Sequence, residues 1–303
     1  MVKLSWLLHP IQIPRWIVLL LILIPLGYLI FTQKAGKEIF ARWARRFFRD
    51  SSQWQISSLR YRLRHLGIIM DGNRRYGNRF LGNAIDGHRR GAEKLWEVVE
   101  WCADLEIETL SIFAFSEENW KRSEGEIQTL MSLFRENVES LEKMCAKKHF
   151  RVRFLTTYDD RIPHDIRCGM KMIEQKASEG IDDTYLASGH VMNINVFVSY
   201  GGRQEILRAV KLVAKETNGF SPEEVDAQVT EDYFAQKLLT AGNGGDPDLI
   251  IRTSGESRMS NFLLWQSAYS EFFVEESLWP NLTRDKFLLI LLDFLKRSRR
   301  FGR

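Results

Sequence analysis

From His65 onward, short apolar runs alternate with long stretches in which apolar residues recur every three or four positions. A run of five to eight apolar residues suits a buried strand, whereas the three-to-four spacing lines one face of a helix. The pattern predicts strands near 65–70, 109–115, 151–155, 191–199, 248–252 and 272–275, with helices near 88–104, 124–147, 160–178, 203–216, 230–240 and 284–297. Alternation of this kind predicts an α/β fold, a central, mostly parallel six-stranded sheet flanked by helices. The clearest helix follows Ser123. Ser123 and Glu126 fit a capping box, and Ile127, Leu130, Met131, Phe134, Val138, Leu141 and Cys145 then recur at helical spacing. Such a stripe serves either as core or as the wall of a lipid-sized cavity, and spacing alone leaves both open.

The N-terminus follows another pattern. Trp16 to Phe31 reads WIVLLLILIPLGYLIF without a charge, and Ile11 and Ile13 extend it upstream. A spanning helix needs about 20 such residues, and Pro25 would kink this one. Trp16 and Tyr28 stand near its ends, as interfacial aromatics do. No small-x-small cleavage site follows promptly, so an uncleaved anchor is expected rather than a signal peptide. Lys3 and Arg15 precede the run, while Lys34, Lys37, Arg42, Arg45, Arg46 and Arg49 follow it. The positive-inside rule then leaves the body in the cytosol, where the sequon Asn281-Leu282-Thr283 stays unmodified. The expected organisation is an anchor over 1–35, a basic amphipathic or plain linker helix over 36–64, and a catalytic domain over 65–303.

Composition changes this little. The chain has 303 residues, 45% hydrophobic and 27% charged, and the body shows no linker or internal repeat. A net charge of +4 is mild, and no nucleic-acid partner is expected. Three cysteines, Cys102, Cys145 and Cys168, argue against a disulfide framework or a zinc site and read as small core or half-buried residues.

Polar clusters close four of the expected strands. Ile68-Ile69-Met70 ends in Asp71-Gly72-Asn73-Arg74-Arg75, and the second strand ends in Ser116-Glu117-Glu118-Asn119-Trp120-Lys121-Arg122. The fourth ends in Tyr200-Gly201-Gly202-Arg203, and the fifth runs from Arg252 through Arg258 to Ser260. Open α/β sheets bind ligands at the carboxyl ends of their strands. Arg75, Arg122, Arg203, Arg252 and Arg258, with one or two carboxylates, describe a site for two or more phosphate groups and a divalent metal. There is no Walker loop and no strand-G-x-G-x-x-G unit, so the phosphates belong to something other than a nucleotide. An apolar anchor on such a protein suggests a lipid.

HLGIIMDGNRRYGN (65–78), GHRRGAEKL (87–95), SIFAFSEENWKRSEGEI (111–127), VSYGGRQEI (198–206) and DLIIRTSGESRMSNFLLWQSAYSEFFVEESLWP (248–280) together resemble the cis-prenyltransferases. That family includes undecaprenyl and dehydrodolichyl diphosphate synthases, and the resemblance covers about residues 65 to 303. It implies a Mg²⁺-dependent enzyme with a hydrophobic tunnel. Such an enzyme condenses isopentenyl diphosphate repeatedly, in cis, onto an allylic primer such as farnesyl diphosphate. By resemblance, Asp71 binds the metal and the primer diphosphate, which Gly72, Asn73, Arg74, Arg75, Tyr76 and His88 cradle. Arg252, Arg258, Met259 and Ser260 hold isopentenyl diphosphate, and Glu271 assists the metal. Ser116, Glu117, Glu118, Asn119, Trp120 and Arg122 lie between the substrates, with Asn119 implicated in proton removal. The base itself is either Asp71 or a phosphate oxygen. Arg300 and Gly302 fit a C-terminal R-x-G motif that reaches a neighbouring subunit's site, which implies a homodimer.

Two positions depart from the bacterial pattern. Ala84 stands where the family usually has an arginine on the primer diphosphate, with Arg79 or Arg89 as candidates to compensate. Arg74 replaces a typical glycine, which with the anchor points to an endoplasmic reticulum enzyme on the dolichol or a related route. The helix from Glu124 lacks the insertion of the longest-chain enzymes, so a medium-length product is expected. A non-catalytic scaffold subunit is disfavoured because Asp71 and the phosphate arginines are kept.

Overall fold

The computed structural model describes residues 59, 61–148, 150–179 and 191–297. The apolar run 16–31, nearly all of the expected linker helix, the side chains of Val138 and Cys145, and Arg300 and Gly302 lie outside them. No helix among the described residues is long and apolar enough to cross a membrane.

The apolar runs become β1 (His65–Ile69), β2 (Thr109–Ser116), β3 (Arg151–Leu155), β4 (Asn193–Tyr200), β5 (Leu249–Thr253) and β6 (Glu271–Glu275). They join in the order β3-β4-β2-β1-β5-β6, and every pairing is parallel. β1 and β5 are buried throughout, as strands covered on both faces must be. From β1 the chain builds outward through β2, then crosses back to the other side for β5. The carboxyl end of β1 is therefore the topological switch point, where ligand crevices form.

The helices named below are α1 (Asn73–Tyr76), α2 (Ala84–Asp104), α3 (Glu124–Lys148), α4 (His164–Glu179), α5 (Gly202–Glu216), α6 (Pro222–Gln228), α7 (Glu231–Ala235) and α8 (Arg284–Lys296). α2 starts four residues before its expected position because the Asn83 side chain caps it, accepting from the Asp86 amide at 2.9 Å. The periodicity did not reveal α6, but Ser221-Pro222-Glu223-Glu224 does: Ser221 and Glu224 close a capping box with proline at the first turn. The helix expected over 230–240 ends at Ala235, and the Leu239 amide bonds the buried Glu205 carboxylate at 2.9 Å instead of continuing the ladder.

Ile69, Phe113, Leu155, Phe197, Tyr200, Ile250, Phe262 and Leu263 form a core cluster just beneath the carboxyl ends of the strands. Phe262 stacks on Phe113 with ring centroids 4.7 Å apart. Each such side chain contributes about 2 kcal/mol by leaving water, so the floor of the crevice is rigid. Cys102 is buried, and burial raises its thiol pKa, whereas Cys168 is exposed rather than in the core.

Candidate active site

Asp71 leaves β1 two residues past its last strand position and is fixed by its own backbone. Its carbonyl accepts from Thr253 Oγ1 at 2.7 Å and from the Trp279 amide at 3.0 Å. Gly72 then turns with φ +105°, where a side chain would meet Leu278 at 2.9 Å. That turn starts α1, where the Asn73 amide donates to the Met70 carbonyl at 3.2 Å and Arg75 reaches back to Asp71.

The Asp71 carboxylate faces Arg252 at 2.7 Å and Arg75 at 3.5 Å. Arg252 is only 3% exposed and is held by Ser260 Oγ at 2.6 Å and by the Arg258 carbonyl. Its Nε is buried without a protein partner among the described residues. Arg75 also donates to Ser254 Oγ and lies 3.6 Å from Glu256, which in turn pairs with Arg258. These arginines are thus partly neutralised by acids that an incoming polyanion could displace.

Ser199, Ser254, Ser260 and Asn261 all have positive φ, at 50°, 83°, 49° and 66°. Such strain in residues other than glycine, gathered at one edge of one sheet, is characteristic of a site shaped for something other than stability. No sequence pattern announced it.

A cavity of about 470 Å³ occupies this edge. Asp71, Asn73, His88, Ser116, Glu118, Asn119, Arg122, Arg252 and Ser260 line it, all expected from sequence. Asn261, which was not, also lines it; its amide bridges Glu118 and Gln204 at 3.0 Å each. A register irregularity of β2 around Ala114 turns that residue toward the cavity, as bulges near active sites commonly do.

Other expected residues lie elsewhere. Tyr76 packs on Phe80 at 5.1 Å, and Met259 packs against the core cluster. Glu117 and Trp120 are not in the cavity lining. Glu271 stands at the opposite end of its strand: it pairs with Leu249, whereas Arg252 is opposite Val274. Three residues of strand put it about 10 Å from the Asp71 end, and it bonds Arg297 at 2.8 Å. Neither candidate to replace the arginine missing at Ala84 lines the cavity. Arg79 lies over Phe80, and Arg89 pairs with Asp86 at 3.2 Å. Glu126 pairs with Arg122 at 2.9 Å and lies 3.8 Å from Arg74, so the acid read as a cap partner braces two basic residues of the site.

A second, apolar cavity of about 150 Å³ shares Met70, Asn73, His88, Ala114, Phe115 and Leu130 with the first. It runs between α2 and α3 over the sheet. Leu130, Met131, Phe134 and Leu141 of the α3 stripe line it, and Met131 and Leu141 are also buried in the core. His88 stands where the two cavities meet. Its Nε2 is buried with no protein partner among the described residues. Burial, helped by the Arg122 guanidinium, lowers its pKa to about 4, so the ring is neutral near pH 7.

His65 is lowered to about 4 by burial as well, its ring set between the Gly245 carbonyl and Ser111 Oγ at 2.8 Å each. The unfolded chain protonates both rings below about pH 6.5, whereas the fold holds them neutral down to about pH 4. Stability therefore falls as pH drops through that window, by about 3 kcal/mol for each ring. Urea unfolding of the detergent-solubilised chain at pH 7.5 and 4.5 should show it, and His88→Asn should remove its share of the difference. An equal loss in the variant would contradict the assignment.

A prenyltransferase family, described as undecaprenyl diphosphate synthase, matches residues 69–302. An isoprenyl transferase of Thermus thermophilus is 41% identical over 244 residues, covering 79% of this chain and 89% of that protein. A tritrans,polycis-undecaprenyl-diphosphate synthase of Thermococcus kodakarensis, specific for geranylgeranyl diphosphate, is 39% identical over 244 residues, 79% of this chain and 87% of its own length. The crystal structure of lavandulyl diphosphate synthase from Lavandula x intermedia in complex with dimethylallyl diphosphate superposes with a TM-score of 0.72. It is 26% identical, over 80% of this chain and 99% of that one.

Proposed function

The chain belongs to the undecaprenyl diphosphate synthase family of prenyltransferases, and on that premise we propose that it extends an allylic diphosphate by repeated cis addition of isopentenyl diphosphate. The product is a polyprenyl diphosphate of medium length, near the undecaprenyl class, that feeds dolichol or a similar glycosyl carrier lipid. One observation carries the reading: a polar cavity lined by Asp71, Arg122 and Arg252 adjoins an apolar one along α3. The first suits a diphosphate head and the second the start of an isoprenoid tail.

In each cycle the allylic C–O bond breaks with its electron pair going to the departing diphosphate, the freed allylic carbon bonds the terminal carbon of isopentenyl diphosphate, and the C2 proton passes to Asp71 or to a phosphate oxygen. In this reading Arg75 meets the negative charge on the departing diphosphate, while Arg252, paired with Asp71 at 2.7 Å, holds the isopentenyl diphosphate beside it. Phe115, Leu130 and Ala114 keep water from the cationic fragment. Asn119 Oδ1 accepts from the Ser116 amide at 3.1 Å, which sets the turn facing the substrates.

Among the described residues there is no cluster of three His, Cys, Asp or Glu groups arranged to hold a metal. Mg²⁺ does not require one, since it is commonly bound by one or two carboxylates together with substrate phosphates and water. The Asp71 carboxylate beside a polyanion site fits that mode. Bound there, the ion offsets charge developing on the departing diphosphate.

The same reading anchors residues 1–35 in the endoplasmic reticulum membrane with the catalytic domain in the cytosol. It also pairs two copies, each supplying Arg300 and Gly302 to the other's site. The test uses membranes of cells expressing the full chain, washed with alkaline carbonate. They receive labelled isopentenyl diphosphate, Mg²⁺ and either dimethylallyl, farnesyl or geranylgeranyl diphosphate. The expected result is butanol-extractable product of medium length on reversed-phase chromatography, retained with the washed membranes and favoured by farnesyl diphosphate. Activity released into the wash would refute the anchor. A product of one addition would refute elongation, and no incorporation from any primer would refute the function.

A further inference from the structure

Glu117 opens the 3₁₀ turn Glu117–Lys121 that follows β2, yet it is the acid of that turn that does not face the site. The residue is 7% exposed, and the cavity lining takes Ser116, Glu118, Asn119 and Arg122 while passing over Glu117 and Trp120. One carboxylate oxygen of Glu117 accepts from Ser199 Oγ at 2.7 Å, and the other accepts from Arg161 Nη1 at 3.1 Å. Ser199 Oγ in turn accepts the indole N–H of Trp120 at 2.9 Å. A serine hydroxyl has one hydrogen, so giving it to Glu117 leaves a lone pair aimed at the indole. The Trp120 ring stands edge-on to Phe115 with centroids 4.9 Å apart, and Phe115 lines both cavities.

This chain of contacts ties together the carboxyl ends of three adjacent strands, with Arg161 following β3, Ser199 near the end of β4 and Glu117 following β2. Ser199 is fully buried and held at φ +50°, and its carbonyl accepts from the Thr157 amide at 3.1 Å and from Thr157 Oγ1 at 2.8 Å. A left-handed serine persists only when its surroundings over-determine it. A carboxylate this buried is tolerable only because both oxygens have donors.

We propose that Glu117 is a positioning residue that contacts neither substrate. Through Ser199 it locks Trp120, and with it the turn that presents Ser116, Glu118, Asn119 and Arg122 to the cavity. Its activity readouts rest on the prenyltransferase reading, whereas its spectroscopic readout does not.

The test uses the full chain in detergent, labelled with fluorotryptophan and observed by ¹⁹F NMR without substrate, with Trp120→Phe assigning the resonance. Glu117→Ala and Ser199→Ala are each expected to shift the Trp120 resonance. Each should also lower kcat by roughly tenfold, with KM for both diphosphates within about twofold of wild type. The double variant should be no worse than either single one, since both remove the same link. Glu117→Gln keeps an acceptor for Ser199 but loses the ion pair, and is expected to fall between wild type and Glu117→Ala. Should Glu117→Ala fail to fold, Ser199→Ala and Glu117→Gln decide the matter. A Trp120 resonance unmoved in the folded variants overturns the proposal, as does a KM raised tenfold or more. If wild type incorporates nothing, the prenyltransferase reading fails and the resonance alone decides for or against the lock.

Discussion

Asp71→Ala is expected to lower incorporation of labelled isopentenyl diphosphate by about 10³-fold, the scale on which removing a group that organises charge in a transition state acts. Asp71 is the carboxylate at the switch point of the sheet, bonded at 2.7 Å to the buried Arg252. Alanine removes the oxygen ligand available to a divalent ion and also leaves Arg252 short of its counter-charge. A buried ion losing its partner costs about 3–5 kcal/mol, so part of the loss could come from unfolding. Asp71→Asn separates the two effects. The amide keeps a neutral acceptor for Arg252, so its unfolding temperature should stay closer to wild type while incorporation still collapses. More than a tenth of wild-type incorporation in a folded Asp71→Ala protein would remove Asp71 from the reaction.

Gly87→Ala should have the largest effect on the fold, a loss of about 3 kcal/mol. For a domain of this size that is a drop of roughly 10 °C in the unfolding midpoint. Gly87 needs no special backbone angle. It lies in α2 against the segment after β1, where an added Cβ would fall 2.1 Å from the Asn73 carbonyl oxygen and 2.6 Å from the Gly77 amide nitrogen. Both neighbours are backbone, so relief requires moving α1 itself. Asn73 and the adjacent His88 line both cavities, and activity should fall along with stability. Gly125→Ala is the control. Nothing lies within 4 Å of its Cβ position near the start of α3, and the change should leave stability equal or slightly higher. Scanning calorimetry of the three proteins checks this, and a Gly87→Ala midpoint within a degree of wild type would show that the helices have room.

Much of this protein could be read before any coordinates. The strands were legible because each is a short, largely apolar run set between longer helical patterns, most plainly β1 and β5, which are buried throughout. Asp71, Arg252 and the Ser116–Arg122 turn were legible because strand ends collect the polar residues an α/β crevice uses. Helix starts were less so: Asn83 and Ser221 cap helices that periodicity placed late or omitted, because a cap acts through one hydrogen bond rather than a repeating face.

Other features depended on distances that a linear pattern does not contain. The α3 stripe became a cavity wall only when α2 was seen to stand off from it. Glu271 and Arg252 lie in neighbouring strands, yet strand register carries them to opposite ends. Glu117 and Glu118 are adjacent in sequence, but one is buried against Ser199 and the other faces the crevice, because successive residues of a tight turn point in different directions. Which strands form, and that arginines and carboxylates gather at their ends, is written in the residues themselves, since burial and charge act position by position. Tertiary structure alone decided which of those residues share a site, since that depends on register, helix approach and backbone strain, all of which arise only when distant segments pack.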